Sequence, residues 1–188
     1  MCALAHMTFA AGTGRCDYEI LGLKLGMSAQ EAEAAIRQHL NITPESSPDS
    51  YKIHSTPRRY QPAGTFVDDF VISTAKIELI LDFTEVYPGQ GAGSESLYWI
   101  SYTPIQTSPA DRENFVQRVL ARYGHPVFVC NPEQEFWADR PYQSANAALQ
   151  AGVPVLELDV SIPKLILTNQ SIRQKMERAF TELQQIPL

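Results

Sequence analysis

The stretch from Lys76 to Thr84 alternates between apolar and polar side chains, and this alternation restricts the fold more than any other part of the sequence. Successive side chains of a β-strand point to opposite faces, so the pattern predicts a strand with one buried and one water-facing side. Antiparallel sheets contain such strands, whereas the strands of parallel sheets are buried on both sides. Only Ile80 departs from the pattern. The chain is therefore expected to contain an antiparallel sheet with one wet face.

The helix and strand signals around this strand occur twice in the same order. Ser28 and Glu31 have the spacing of a capping box, which predicts a helix running to about Leu40. Strands are predicted after it at residues 51–55, 66–74, 76–84 and 97–103.

The second series begins with a helix that Ser108 caps, that has Pro109 in its first turn and that Gly124 ends. Strands are predicted next at residues 127–130, 153–160 and 162–167, and a last helix at about 170–185. Residues 133–142 are read as an irregular aromatic segment, and residues 144–152 as a connection of small side chains.

This order predicts an α+β fold of two halves, 17–106 and 107–188, each with a helix followed by antiparallel strands. The halves are expected to share one continuous sheet, with an additional C-terminal helix, in a single domain that spans residues 17–188. Residues 1–16 are apolar and rich in small side chains but lack the positive start of a secretory signal. They are expected to be a poorly ordered or processed segment, whether a signal remnant, a tag or native sequence.

The charge balance argues against two classes of partner. With 15 Lys and Arg against 21 Asp and Glu, the formal net charge is −6, which opposes nonspecific attraction to nucleic acid or anionic lipid. No run of about 18 apolar residues occurs, so the chain is not expected to span a membrane.

The motifs that hold cofactors and metals are also missing from the sequence. The glycine-rich run at residues 89–93 is followed by a predicted strand, whereas a nucleotide-binding loop leads into a helix. The four histidines do not have the spacing of a zinc site. Neither a cofactor nor a metal is expected.

The three cysteines leave alternatives open. Cys16 and Cys130 could form a disulfide, although buried free thiols are the more ordinary interpretation. A nucleophilic Cys130 would need a histidine within hydrogen-bond reach. His125 lies five residues away, which places its side chain on the opposite face of a strand, so the partner would have to be a distant histidine such as His54 or His39.

Aromatic residues supply the candidate binding surface. Such side chains carry much of the energy of both cores and binding hot spots, so core membership is the competing interpretation for each of them. Alternation along the strand places Trp99 on the face opposite Tyr98 and Tyr102. The candidate residues, with one arginine at the polar rim, are Tyr98, Trp99, Tyr102, Phe136, Trp137 and Arg140.

Two segments resemble a known family. The stretch LGLKLGMSAQEAEAAIRQHL resembles the Gly-Met-Ser/Thr entry of the fold shared by β-lactamase inhibitory proteins and the small lipoprotein of the bacterial outer-membrane β-barrel assembly machine. RVLARYGHPVFV resembles the Tyr-Gly-x-Pro helix end of such proteins. The resemblance implies a curved antiparallel sheet with helices packed on one face, a protein-binding surface and a cell-envelope or secreted setting. It assigns no individual functional residue.

Together these observations predict a non-enzymatic protein-binding or inhibitor-type module of the bacterial cell envelope, with another protein as its partner. The alternatives are a cysteine-dependent hydrolase that uses Cys130 and a carrier of a small apolar ligand, which would need an apolar cavity between helices and sheet. A periplasmic or secreted location is expected, and a cytoplasmic one stays open.

Overall fold

The structure, a computed structural model, describes residues 17–57, 65–84, 95–105, 108–131 and 133–184. These ranges contain four helices and eight strands. In chain order the elements are α1 (Ala29–Leu40), β1 (Tyr51–Pro57), β2 (Thr65–Ser73), β3 (Ile77–Phe83), β4 (Leu97–Pro104), α2 (Pro109–Tyr123), β5 (Phe128–Asn131), β6 (Gln134–Trp137), α3 (Ala145–Gln150), β7 (Val155–Asp159), β8 (Lys164–Thr168) and α4 (Gln170–Gln184).

All eight strands form one open antiparallel sheet in the order β1-β2-β3-β4-β8-β7-β6-β5. The first strand of each half is an edge of the sheet, and the last strands of the halves pair with each other. In that pairing Trp99 lies opposite Thr168, and Tyr102 lies opposite Leu165. The predicted α+β fold with one antiparallel sheet is confirmed.

The capping box predicted for α1 is present. The Ser28 hydroxyl oxygen accepts a hydrogen bond from the Glu31 backbone at 3.3 Å, and the Glu31 carboxylate accepts one from the Ser28 backbone at 2.8 Å. These bonds satisfy donors that a helix start leaves without partners. Asn41 ends the helix with a φ of 54°.

The boundaries of α2 also follow the sequence. Ser108 caps the helix by accepting from the Asp111 backbone, and Pro109 occupies the first turn. Gly124 ends the helix with a φ of 77°, a conformation that glycine adopts without steric strain.

The main core is built from both halves. It contains Phe70, Leu79 and Leu81 from the first half and Leu156 and Leu167 from the second half. The buried sides of the two long helices join the same cluster, with Ala32, Ala35 and Ile36 from α1 and Phe115 and Val119 from α2. Both helices therefore pack on one face of the sheet.

A smaller cluster lies on the opposite face, where α3 packs. It contains Phe136 of β6 and Val155 of β7. The next residue along each strand, Trp137 or Leu156, belongs to the main core, and successive side chains of a strand point to opposite faces. The fully buried Ala148 of α3 completes the cluster. Neither β6 nor α3 was predicted, although Ser144 caps α3 by accepting a hydrogen bond from the Ala147 backbone at 3.1 Å.

The eighth strand begins two residues later than predicted. The Asp159 carboxylate accepts hydrogen bonds from Ser161 and from the Ile162 backbone, which forms a turn at these residues. Because the side chain competes with strand pairing for these donors, pairing resumes only at Lys164.

None of the helices within the described ranges has the length and apolar character needed to cross a membrane. The predictions for residues 1–16 and for the glycine-rich run at 89–93 lie outside the residues that the structure describes.

Candidate functional site

The six candidate aromatic and arginine residues do not share one surface. Phe136 and Trp137 are core residues, 4% and 2% exposed, on opposite faces of β6. The indole Nε1 of Trp137 donates a hydrogen bond to the Gly124 backbone oxygen at 3.1 Å, so the side chain links the sheet to the end of α2. Arg140 is exposed and donates to the Tyr142 hydroxyl at 3.3 Å.

Trp99 lies on the sheet face opposite α1 and α2 and is partly exposed. Its ring centre is 5.8 Å from the Lys164 ammonium. Trp99 pairs with Thr168, and Ser101 pairs with Ile166, so the Ser101–Ile166 pair lies between Trp99 and Lys164 along the strands. The indole and the lysine therefore meet above this pair, where Ser101 is only 2% exposed. Tyr102 is on the other face, where its ring packs 6.0 Å from that of Phe115. The predicted separation of Trp99 from Tyr102 is therefore observed.

Tyr98 is the additional residue of a β-bulge in β4. Asp82 pairs with Trp99 and Phe83 pairs with Leu97, so Tyr98 is the residue that the bulge inserts. The insertion interrupts the strict alternation on which the predicted placement of Tyr98 opposite Trp99 rested. The guanidinium of Arg173, at the start of α4, lies 5.9 Å from the Tyr98 ring centre, within cation–π range.

Acidic residues of β3 and β2 lie in register with Trp99, in the direction of the sheet edge at β1. Asp82 faces Trp99, Asp69 faces Asp82, and the Asp69 carboxylate is 2.7 Å from Nδ1 of His54. Burial raises the pKa of Asp82 above its usual value, Asp69 raises it further, and Arg173 opposes both effects. Ionisation of Asp82 therefore costs more free energy in the folded protein than in the unfolded chain.

A large cleft beside Tyr102 combines a predicted residue with space for a ligand. It encloses about 910 Å³ between α2 and the adjoining ends of β3 and β4. We call it the Tyr102 cleft. Its lining residues are Lys76, Ile77, Tyr102, Pro104, Ile105, Asp111, Asn114, Gln117, Arg118 and Ala121.

Strand pairing builds the floor of the Tyr102 cleft. Ile77 pairs with Pro104, and the Ile105 backbone donates to the Lys76 carbonyl oxygen at 2.7 Å. These contacts fix the apolar side chains of the floor at the end of the sheet. Ile105 is 48% exposed, one of four large apolar side chains that are exposed within the described ranges, and it is the one that lines this cleft.

Helix periodicity builds the wall of the cleft. Asp111, Asn114, Arg118 and Ala121 follow one another at intervals of three or four residues, which places them on one side of α2. Phe115 and Val119 occupy the core-facing side. The helix therefore contributes a polar wall opposite an apolar floor.

The Tyr102 cleft is lined by two cations and one carboxylate. Lys76 and Arg118 are exposed, and neither makes an ion pair with another residue in the described ranges. Burial raises the pKa of the Tyr102 hydroxyl, and the nearby Arg118 partly opposes this effect. The carboxylate of Asp111 accepts a hydrogen bond from the Ser108 hydroxyl at 2.8 Å, at the start of α2.

Tyr102 and Arg118 also border a second cleft of about 180 Å³ on the other side of Phe115. Its remaining lining is mainly apolar, and Arg122, on its rim, is bound to the Glu19 carboxylate at 2.6 Å. Among the described residues, this smaller cleft is one space that fits the carrier alternative.

The cysteine predictions cannot be placed on the structure in the same way. Cys16 lies outside the described residues, and for Cys130 the description covers the backbone, in β5, but not the side chain. Both the disulfide and the hydrolase alternative therefore stay predictions. Across the described ranges, no group of three or more His, Cys, Asp or Glu side chains has an arrangement that could hold a metal ion.

Most residues of the Tyr102 cleft were not identified by the sequence analysis. Lys76 belongs to the alternating strand pattern, and Asn114, Gln117 and Arg118 have the spacing of an ordinary solvated helix face. Only the packing of α2 against the end of the β3–β4 pair brings them together. No signal in the local sequence distinguishes them from other surface residues.

Comparison of the chain with protein-family models, with curated proteins and with solved structures finds no match.

Proposed function

We propose that the protein is a non-enzymatic binding module that holds a segment of another protein in the Tyr102 cleft. The observation that carries the proposal is the combination in this cleft of an apolar floor, in which Ile105 is exposed, and a polar wall from α2. Binding hot spots combine an aromatic or apolar anchor with a surrounding polar rim.

The shape of the cleft favours a protein segment over a small apolar ligand. Pockets for small molecules are mostly apolar and cover most of the ligand's surface, and their volumes range from about 300 to 1,000 Å³. The Tyr102 cleft is at the upper end of that range, at about 910 Å³, but one of its walls is polar and it opens to the surface. The carboxamides of Asn114 and Gln117 can each donate and accept hydrogen bonds, which suits the backbone of an extended peptide.

The cell-envelope setting is a further part of the proposal. It rests on the sequence resemblance described above, which implies a protein-binding surface in a cell-envelope or secreted setting. A periplasmic or secreted location would be tested by fractionating cells that produce the full chain from its own gene.

The binding role is tested by selecting peptides from a random display library on the purified chain. We expect selected peptides to lose binding when Ala121→Trp fills the cleft with an indole. Ala34→Trp places the same side chain on the exposed side of α1, outside the cleft, and should leave binding unchanged. Peptides that bind both variants equally well, or a selection that yields no peptide sensitive to Ala121→Trp, would contradict the proposal.

A further inference from the structure

The charged residues that line the Tyr102 cleft, Lys76, Arg118 and Asp111, have a formal sum of +1, which is opposite in sign to the charge of the whole chain. The formal net charge of the protein is −6, yet the cleft contains the two cations Lys76 and Arg118. Among the described residues neither cation has an ion-pair partner, whereas Arg37 is 2.7 Å from Glu33 and Arg122 is 2.6 Å from Glu19. The cleft is thus a local positive site on an acidic protein.

The carboxylate that lines the cleft forms no ion pair with either cation within the described ranges. Asp111 is in the first turn of α2, where its backbone donates to the Ser108 hydroxyl oxygen and its carboxylate accepts from that hydroxyl. A negative charge in this position also interacts favourably with the positive end of the helix dipole. Asp111 is thus bound to the start of the helix, and within the described ranges Lys76 and Arg118 are not engaged in ion pairs that a ligand carboxylate would have to displace.

The positions of charge and apolar surface together define a partner. Lys76 adjoins the floor next to Ile77 and Ile105, and Arg118 is on the wall beside Tyr102. A ligand that fits both features has a carboxylate near an apolar side chain. Arginine is well suited to such a contact because its guanidinium donates two parallel hydrogen bonds to a carboxylate.

We propose that the segment bound in the Tyr102 cleft is acidic, and that a Glu or Asp side chain of the partner pairs with Lys76 and Arg118 while an adjacent apolar side chain contacts Ile105 and Tyr102. This inference rests on the proposed binding function and adds the chemistry of the partner. It makes the cleft selective, because a segment with Lys or Arg at the same position would be repelled.

The peptide selection tests the inference separately from the function. We expect peptides that Ala121→Trp displaces to be enriched in Glu and Asp and depleted in Lys and Arg relative to the starting library. Their affinity for the double variant Lys76→Glu, Arg118→Glu should be lower by about tenfold, the combined effect of two exposed charge pairs. Raising the salt concentration should weaken binding to the unmodified chain, since exposed charges are screened.

Arg112→Glu is the matched control, because it reverses an exposed charge on α2 outside the cleft lining and should leave affinity unchanged. Circular dichroism of each variant establishes that it is folded. Peptides that Ala121→Trp displaces but that are neutral or basic, or that bind the double variant as well as the unmodified chain, would overturn the inference and leave the binding function standing. A selection without any peptide sensitive to Ala121→Trp would overturn both.

Discussion

Tyr51 buries a hydroxyl group that has no hydrogen-bond partner in the described structure, and the residue is only 2% exposed. A buried polar group without a partner loses its hydration without compensation, at a cost of about 1–3 kcal/mol. Tyr51→Phe removes the hydroxyl and keeps the ring, which packs 5.8 Å from Phe70. We expect this substitution to raise the free energy of unfolding by about 1 kcal/mol, as measured by urea denaturation.

Tyr123 provides the matched comparison. Its hydroxyl donates a hydrogen bond to the Glu19 backbone oxygen. Tyr123→Phe should therefore lower the free energy of unfolding by about 1 kcal/mol, the usual value of a lost hydrogen bond. If both substitutions destabilised the protein equally, the hydroxyl of Tyr51 would have a partner in solution.

The carboxyl group of Asp82 makes stability depend on pH. Its pKa in the folded protein is raised, chiefly by burial, so the unfolded chain loses its proton at lower pH than the folded one. Ionisation therefore favours unfolding as pH rises above the usual pKa of Asp. Asp82→Asn is expected to increase the free energy of unfolding at pH 7, and the gain should disappear near pH 3. Urea titrations at both pH values measure it.

Asp159 should show the opposite sign. Burial acts to raise its pKa, but hydrogen bonds from Ser161 and Ile162 outweigh burial and keep the pKa below its usual value. Ionised Asp159 thus stabilises the fold, and that contribution is lost as pH falls through its folded pKa. Asp159→Asn should destabilise the protein at pH 7. An equal response of the two variants to pH would contradict this explanation.

At the scale of single residues, the sequence predicted orientation better than environment. The period of two along a strand correctly separated Trp99 from Tyr102 and explained the exception at Ile80, which faces away from the main core with Asp82. It could not show that Tyr102 borders a cleft, since the other wall comes from α2, and that requires the packing of distant elements.

Elements with strong local signals were the ones predicted. Caps at Ser28 and Ser108 define helix starts through backbone hydrogen bonds that form within one turn, so they can be recognised without tertiary information. β6 and α3 are only four and six residues long. Segments of that length form a strand or helix because Phe136 and Ala148 pack in the second cluster, and the local sequence does not contain that information.

Gly124 ends α2 in a backbone conformation that favours glycine, and a substitution can test this preference. Its φ of 77° disfavours any side chain, although an added Cβ would meet no atom within 4 Å. Gly124→Ala should therefore cost about 1 kcal/mol of unfolding free energy through backbone strain alone. Thermal denaturation measures the change. In a Trp99→Phe background, where the emission comes from Trp137 alone, the fluorescence of the folded protein should stay the same because Trp137 keeps its hydrogen bond to the backbone oxygen of residue 124. Unchanged stability would show that the helix end rearranges.

Asn41 is the control for this prediction, because it ends α1 with a φ of 54°. Asn41→Gly relieves any strain at an equivalent position and should change the free energy of unfolding by less than about 0.5 kcal/mol. A large loss of stability in this variant would mean that the asparagine side chain itself holds the helix end.

For the whole molecule, the shared core predicts a single cooperative unfolding transition. The main cluster joins Leu79 and Ile100 of the first half to Leu158 and Leu167 of the second half, so neither half keeps its core without the other. Each half also contains a tryptophan, Trp99 on β4 or Trp137 on β6. Trp137→Phe leaves a reporter in the first half, and Trp99→Phe leaves one in the second.

In each single-tryptophan variant the fluorescence midpoint in urea should coincide with the circular dichroism midpoint, because one transition unfolds both halves. The comparison is made within each variant, since the loss of buried Trp137 lowers overall stability. Distinct midpoints for the two signals would show that the halves unfold independently.

The arrangement of helix and strand blocks was predictable because each block carries its own periodicity and caps. The order of the strands was not, because the pairing of β4 with β8 depends on contacts between residues more than sixty positions apart. Nothing local to either strand indicates that partner. The repeat of the helix–strand order suggested a shared sheet but did not specify which strands meet.

The pairing of β4 with β8 also has a consequence for synthesis on the ribosome. When synthesis has just passed β4, this strand has β3 on one side and an unpaired edge on the other, and β8 begins sixty residues further along the chain, at Lys164. At about 5–20 residues per second this edge waits for several seconds. During that interval the nascent chain presents a hydrogen-bonding edge to neighbouring chains, and molecular chaperones that cover exposed strands would have their greatest effect on the yield of folded protein.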